Sequence, residues 1–218
     1  MHEMKNKNHK KSKFIVVEGI DGSGKTNACQ IIKHKLDKNQ IKNIIVREPG
    51  STPLSEKIRK IIKNHCPYET LHQKTLLLLI YAARMQLIKN KIQPSLKKNI
   101  WVIADRHDLS SLAYQGGGFK INKKHIFFLK KMIVGKLTPD LTIYLDIQPK
   151  KALHRILFRN QLDFIEKKNL EFFIRTRNMY LKMLSKINKK IFINANLKIN
   201  IVHHDIINQF TEWLKKYK

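Results

Sequence analysis

The chain alternates short, wholly apolar runs with longer segments whose apolar residues recur every three or four positions. Five runs read as buried strands: Phe14–Glu18, Asn43–Arg47, 101–104, 141–145 and 191–193. Between them the periodic pattern predicts helices. The first opens at Lys25 and carries Ala28, Ile31, Ile32 and Leu36 on one side as far as Lys38. Further helices are expected at 54–64, 70–98, 108–115 and 122–134, from Pro149 onward, at about 170–187, and at 203–216, where His203-His204 would open the last one. Gly116-Gly117-Gly118 is expected to end the helix before it, and Glu48-Pro49-Gly50-Ser51-Thr52-Pro53 to form a loop. Strands that alternate with helices imply an α/β fold: a parallel five-stranded sheet with helices on both faces. In such sheets functional residues gather at the carboxyl ends of the strands, where Gly19, Arg47, Asp105 and Asp146 fall.

One of those strand ends carries a specific motif. Gly19-Ile20-Asp21-Gly22-Ser23-Gly24-Lys25-Thr26 reads G-x-x-x-x-G-K-T and lies between a predicted strand and a predicted helix, the context that makes the pattern a phosphate site. Its glycines let backbone N–H groups approach phosphate oxygens, and the helix that opens at Lys25 directs its positive dipole end at the same oxygens. Lys25 is expected to reach the β- and γ-phosphates, and the Thr26 hydroxyl to ligate Mg²⁺. The motif implies a nucleoside triphosphate and a metal, and leaves the fate of the γ-phosphate open.

Composition changes this picture little. The 218 residues suffice for one α/β domain. Residues 1–12 read as a disordered basic tail, and 13–218 as the folded unit. The longest apolar run, 76–83, is too short to span a bilayer. Two cysteines, Cys29 and Cys66, give no disulfide framework, Cys29 reads as a buried thiol, and a cytoplasmic location is expected. Lys and Arg number 44 against 16 acidic residues, a net charge of +28. That excess points to a nucleic-acid binder on its own. However, the lysines are dispersed, and Lys, Asn and Ile, which share AT-rich codons, are all abundant. Compositional drift is the favoured reading, with some gain in attracting nucleotides.

The remaining chemistry lies in acids and arginines. Asp105 ends its strand beside the phosphate loop, where an acid commonly holds Mg²⁺, and Arg106 follows it. Arginine grips phosphate through a planar fork, so Arg47 and Arg106 read as phosphate ligands. On the residues alone, Arg155 and Arg159 stay divided between surface charges and phosphate ligands. Nothing resembles a nucleophile elbow, a histidine metal set or the N-K-x-D element of a GTPase.

Taken in order, the motifs resemble bacterial thymidylate kinases. They are Phe14 through Thr26, Arg47-Glu48-Pro49-Gly50, Tyr81-Ala82-Ala83-Arg84, Asp105-Arg106-His107-Asp108-Leu109-Ser110, Ala113-Tyr114-Gln115-Gly116-Gly117-Gly118, and Pro139-Asp140-Leu141-Thr142-Ile143-Tyr144-Leu145-Asp146. The resemblance implies a P-loop fold, a homodimer with a mobile lid at about 155–166, and transfer of phosphate from MgATP to dTMP. It implies that Asp21 accepts from the 3′-hydroxyl of the sugar and that Arg47 and Arg106 hold the acceptor phosphate. Arg84 would reach a thymine carbonyl, with Pro49 lining the base and Ser110 and Gln115 near its edge. Tyr114 would crowd the 2′ position, and Arg155 and Arg159 would serve from the lid. Four positions depart from the family pattern: Leu157 and Phe164, where arginine is common, Asn160, where a glycine is usual, and Ser51, where a second glycine is usual. The rival readings are a kinase of another nucleotide and a basic nucleic-acid-binding protein.

Overall fold

A computed structural model describes residues 12–63, 69–158 and 162–217. The expected tail up to residue 11, Cys66, Arg159 and Asn160 lie outside the described residues. Five strands, β1 (Phe14–Glu18), β2 (Asn43–Arg47), β3 (Trp101–Asp105), β4 (Leu141–Asp146) and β5 (Lys190–Asn194), form one sheet in the order β2-β3-β1-β4-β5. Every pairing is parallel. β1, β3 and β4 are apolar and buried nearly throughout because both faces are covered, whereas the edge strand β5 alternates exposed and buried residues and β2 is only partly buried. Ile15, Val17, Ile103, Ile143 and Leu145 pack into one core, with α1 (Lys25–Lys38), α8 (Leu170–Leu184) and α9 (Ile199–Lys215). Phe14, Val16, Val46, Val102 and Ala104 pack into the other, with α3 (Gln73–Leu87) and α6 (Lys123–Ile133). The phosphate-loop strand β1 sits in the centre of the sheet between β3 and β4.

The structure corrects three helix expectations. The expected helix over 70–98 begins at Gln73 and is not uniform: α3 passes into a π-helical turn (Ile88–Ile92) and then α4 (Gln93–Lys97). Pro94 has no N–H and its ring crowds the preceding turn, which favours such a widening. Second, the three glycines do not stop a helix. After α5 (Asp108–Ser111) a π-helical segment (Leu112–Gly118) runs through all of them. The reason is packing on α8. A Cβ on Gly117 would lie 2.7 Å from Met179 Cβ, and one on Gly118 2.5 Å from the Phe172 ring. Third, α9 begins at Ile199, so His203 and His204 lie in its second turn rather than opening it. The remaining helices, α2 (Pro53–Lys63) and α7 (Pro149–Leu157), fall where the pattern puts them. Among the described residues no helix is long and apolar enough to cross a membrane.

Candidate functional site

The phosphate loop leaves β1 through Gly19 and enters α1 at Gly24, which caps the helix in a left-handed conformation at φ 95°. Gly22 also needs positive φ, at 78°, and a Cβ there would lie 2.6 Å from the Ala152 carbonyl oxygen of α7. No L side chain fits that turn without displacing α7. The Lys25 ammonium donates to the Ile20 carbonyl at 3.0 Å, so it is already folded over the loop. Burial, reinforced by the Arg106 charge, brings its pKa down to about 8. Ser23 Oγ is buried with no hydrogen-bond partner among the described residues. Thr26 donates to Asp105 Oδ2 at 3.0 Å, bringing together two hard oxygen ligands beside the loop. An alcohol and a carboxylate that face phosphate oxygens suit Mg²⁺, which takes few protein ligands and keeps waters. These residues therefore fit the expected metal.

Arg106 occupies the centre of the site. Its φ of 73° is uncommon for a non-glycine residue, and its backbone N–H is tied to the Val17 carbonyl at 2.9 Å. One guanidinium nitrogen donates to the Gly19 carbonyl (2.8 Å), Ser110 Oγ (3.2 Å) and the Tyr180 hydroxyl (3.3 Å). The other donates to the Asp21 carboxylate and to the Tyr114 hydroxyl, at 3.1 Å for the latter. Burial works against the charge on Asp21, yet Arg106 and Lys25 hold its carboxyl well below the usual range. Behind Arg106 lies Glu18, fully buried at the end of β1. It accepts from Ser110 Oγ (2.7 Å), Tyr180 (2.9 Å) and the His107 N–H (2.9 Å). Burial raises its pKa.

Two clefts meet at this arginine. The first, about 710 Å³ and open at its mouth, is lined by Pro49, Arg84, Ser110, Ser111, Tyr114 and Gln115, with apolar walls from Leu76 and Ile80. The second, about 760 Å³, is lined by Gly22, Gly24, Lys25, Thr26, Asp105 and Arg47. Asp21, Arg106, Arg59, Lys63, Glu48 and Asp163 line both.

The sequence-predicted residues are thus distributed as follows. Asp21, Gly22, Gly24, Lys25, Thr26 and Asp105 line the second cleft, whereas Gly19, Ile20 and Ser23 do not, and the Ile20 side chain packs into the core. Pro49, Arg84, Ser110, Tyr114 and Gln115 form the first. Arg84 is buried and bonded to Glu48, Ser111 and the His107 carbonyl. Ser110 lines the first cleft, but its hydroxyl is engaged with Glu18, Tyr180 and Arg106. Arg47 is half-exposed and pairs with Glu56 at 3.1 Å. The Ser51 departure falls at φ 70°, the conformation that glycine favours, and its hydroxyl accepts from the Arg47 N–H at 2.8 Å. Arg155 on α7 donates to the Ala195 carbonyl at 3.1 Å and to the Gly22 carbonyl at 3.4 Å, over the phosphate loop. Asp146 does not reach the clefts, because both its oxygens are taken by Arg177 at 2.7–2.8 Å.

Sequence reasoning missed Arg59, Lys63, Glu18, Tyr180 and the structural use of Glu48 and His107. Arg59 and Lys63 carried a readable signal. They are four apart on α2, one position round from the core residues Ile58 and Ile62, so they form a cationic stripe beside its buried face.

Residues 17–206 match the family model described as thymidylate kinase. Among curated proteins the chain is 56% identical to the thymidylate kinase of Buchnera aphidicola subsp. Schizaphis graminum (strain Sg), covering 94% of this chain and 98% of that protein. It is 55% identical to the enzyme of that name from Buchnera aphidicola subsp. Acyrthosiphon pisum (strain APS), at the same coverage. Identity to the one from Wigglesworthia glossinidia brevipalpis is 45%, over 94% of this chain.

Proposed function

This chain belongs to the thymidylate kinase family and phosphorylates dTMP to dTDP; from that premise we propose how its residues divide the work. The donor is ATP with Mg²⁺ in the loop-lined cleft, and dTMP occupies the cleft lined by Arg84. The observation that carries this reading is the shared wall: Asp21 and Arg106 border both clefts, so two nucleotides seated there meet phosphate to phosphate at Arg106.

The acceptor phosphate is largely a dianion at neutral pH, because its second pKa is about 6, and no strong general base is required. The barrier is electrostatic. Two unit charges about 4 Å apart repel by roughly 4 kcal/mol at an effective dielectric of 20. Lys25 and the loop N–H groups hold the donor phosphates. Arg106, with Arg47 and Arg59, holds the acceptor phosphate in line with them. Arg155 supplies a further cation over Gly22, and Arg159 belongs to the same proposed lid. Thr26 and Asp105 would hold Mg²⁺, which neutralises phosphate charge when bound. Asp21 keeps acceptor capacity for the 3′-hydroxyl, and Tyr114, fixed against it at 2.7 Å, fills the space a 2′-hydroxyl would need. Arg84, Gln115 and Pro49 receive the thymine.

The working unit is a homodimer. Ile61 of α2, Leu78 of α3, and Phe128 and Met132 of α6 are 57–66% exposed, and these three helices pack side by side. Such an apolar band fits a self-complementary interface. A cytoplasmic location follows from the proposed substrates. A crystal soaked with dTMP and MgADP tests the site assignment. The expected density places the base between Pro49, Arg84 and Gln115 and the monoester phosphate on Arg106. A base lodged away from Arg84 and Tyr114 would refute it.

A further inference from the structure

Glu48 lies at the end of β2, where its N–H extends the β2–β3 ladder by donating to the Asp105 carbonyl at 3.0 Å. Its buried carboxylate is shared between two buried side chains. Oε2 accepts from Arg84 Nε at 2.6 Å, and Oε1 meets His107 Nδ1 at 2.8 Å. An ionised carboxylate can only accept, so His107 carries its proton on Nδ1. Burial opposes ionisation of Glu48, but the Arg84 and His107 partners hold its carboxyl below the usual range. His107 completes a ring of contacts: its carbonyl accepts from Arg84 Nη2 at 3.1 Å. Ser111 Oγ takes a third bond, from Arg84 Nη1 at 2.9 Å. A guanidinium has five N–H groups in a rigid fork. Three are hydrogen-bonded here, Nη1 also faces the Asp108 carboxylate at 3.9 Å, and two N–H groups keep no hydrogen bond among the described residues, beside the cleft that Arg84 lines.

Thymine presents a carbonyl at its 4-position where cytosine presents an amine. A donor-only guanidinium separates the two only if it cannot swing to the neighbouring ring acceptor of cytosine. We propose that Glu48 is a positioning residue for base selectivity, fixing Arg84 directly through Nε and indirectly through His107 so that its spare N–H groups meet a carbonyl and oppose an amine. This rests on the reading of Arg84 as the base contact.

The test is steady-state kinetics of Glu48→Gln with dTMP and dCMP at saturating MgATP. The dTMP KM should rise, and the dTMP-to-dCMP ratio of kcat/KM should fall, each by about 10-fold. kcat for dTMP should fall much less than its KM rises, the split that a positioning role predicts. Thermal melts establish that the variant is folded. Should it not fold, His107→Leu is expected to shift selectivity in the same direction. His107→Asn, whose amide falls where Nδ1 lies, is expected to restore it. Native dTMP KM and native selectivity in folded Glu48→Gln, or in His107→Leu, would overturn the proposal. Arg84→Lys separates the two levels. If it too keeps native selectivity, the reading of Arg84 fails. If it loses selectivity while Glu48→Gln does not, only the role of Glu48 fails.

Discussion

The Tyr114 hydroxyl donates to the Asp21 carboxylate at 2.7 Å and accepts the Asp21 backbone N–H at 2.9 Å. Through this pair the base-side segment 112–118 is fastened to the phosphate loop, 93 residues away in the chain. The Tyr114–Asp21 pair thus joins the walls of the two clefts. Tyr114→Ala should relax sugar discrimination: the preference for dTMP over the ribonucleotide should narrow, as read by kcat/KM for both. An unchanged preference would remove Tyr114 from the specificity account.

Lys25 gives a pH signature with a definite sign. Its folded pKa of about 8 lies below the ordinary 10.5, and only the charged form binds phosphate well. The kcat/KM for ATP, which reports the free enzyme, should fall as pH rises through about 8. Bound phosphates favour the ammonium, so the matching limb in kcat should sit at higher pH. Lys25→Met should lower kcat by on the order of 10²–10³-fold, the scale for removing one preorganised donor. A pH-independent kcat/KM across this range would contradict the assignment.

Asp105→Asn should leave the fold intact, because Asp105 ends a strand whose ladder uses backbone groups. The Mg²⁺ concentration for half-maximal rate should rise by roughly 10–100-fold. A magnesium titration of wild type and variant reads this directly. Identical curves would place the metal elsewhere.

Much of this molecule was legible in its sequence, for physical reasons. Strands buried on both faces, such as Ile15-Val16-Val17, read as continuous apolar runs. A phosphate loop needs Gly19, Gly24, Lys25 and Thr26 at fixed spacing. The π-helical glycines did not read, because Gly117 and Gly118 signal a break locally, whereas their use is to let α8 approach. Glu48 and Glu18 were equally silent. A carboxylate in a strand-end motif looks the same whether it faces solvent or is buried beneath an arginine, and only tertiary placement decides.

Those glycines supply a stability test. In Gly118→Ala the added methyl meets the Phe172 ring at 2.5 Å and Thr176 Oγ1 at 2.7 Å. Overpacking of this kind costs about 1–3 kcal/mol, which corresponds to a drop of roughly 2–12 °C in melting temperature for a protein of this size. A melting curve matching wild type would show that the segment yields more readily than its packing implies.

The central claim is that the two clefts bring a triphosphate donor and a thymidine monophosphate together at Arg106. Its most direct test is ADP release with MgATP across a panel of dTMP, dUMP, dCMP, UMP and AMP, each compared by kcat/KM in wild type and Lys25→Met. The account predicts that dTMP is the best acceptor and that its turnover collapses in the variant. A higher kcat/KM for any other monophosphate, or dTMP turnover that survives the loss of Lys25, would contradict it.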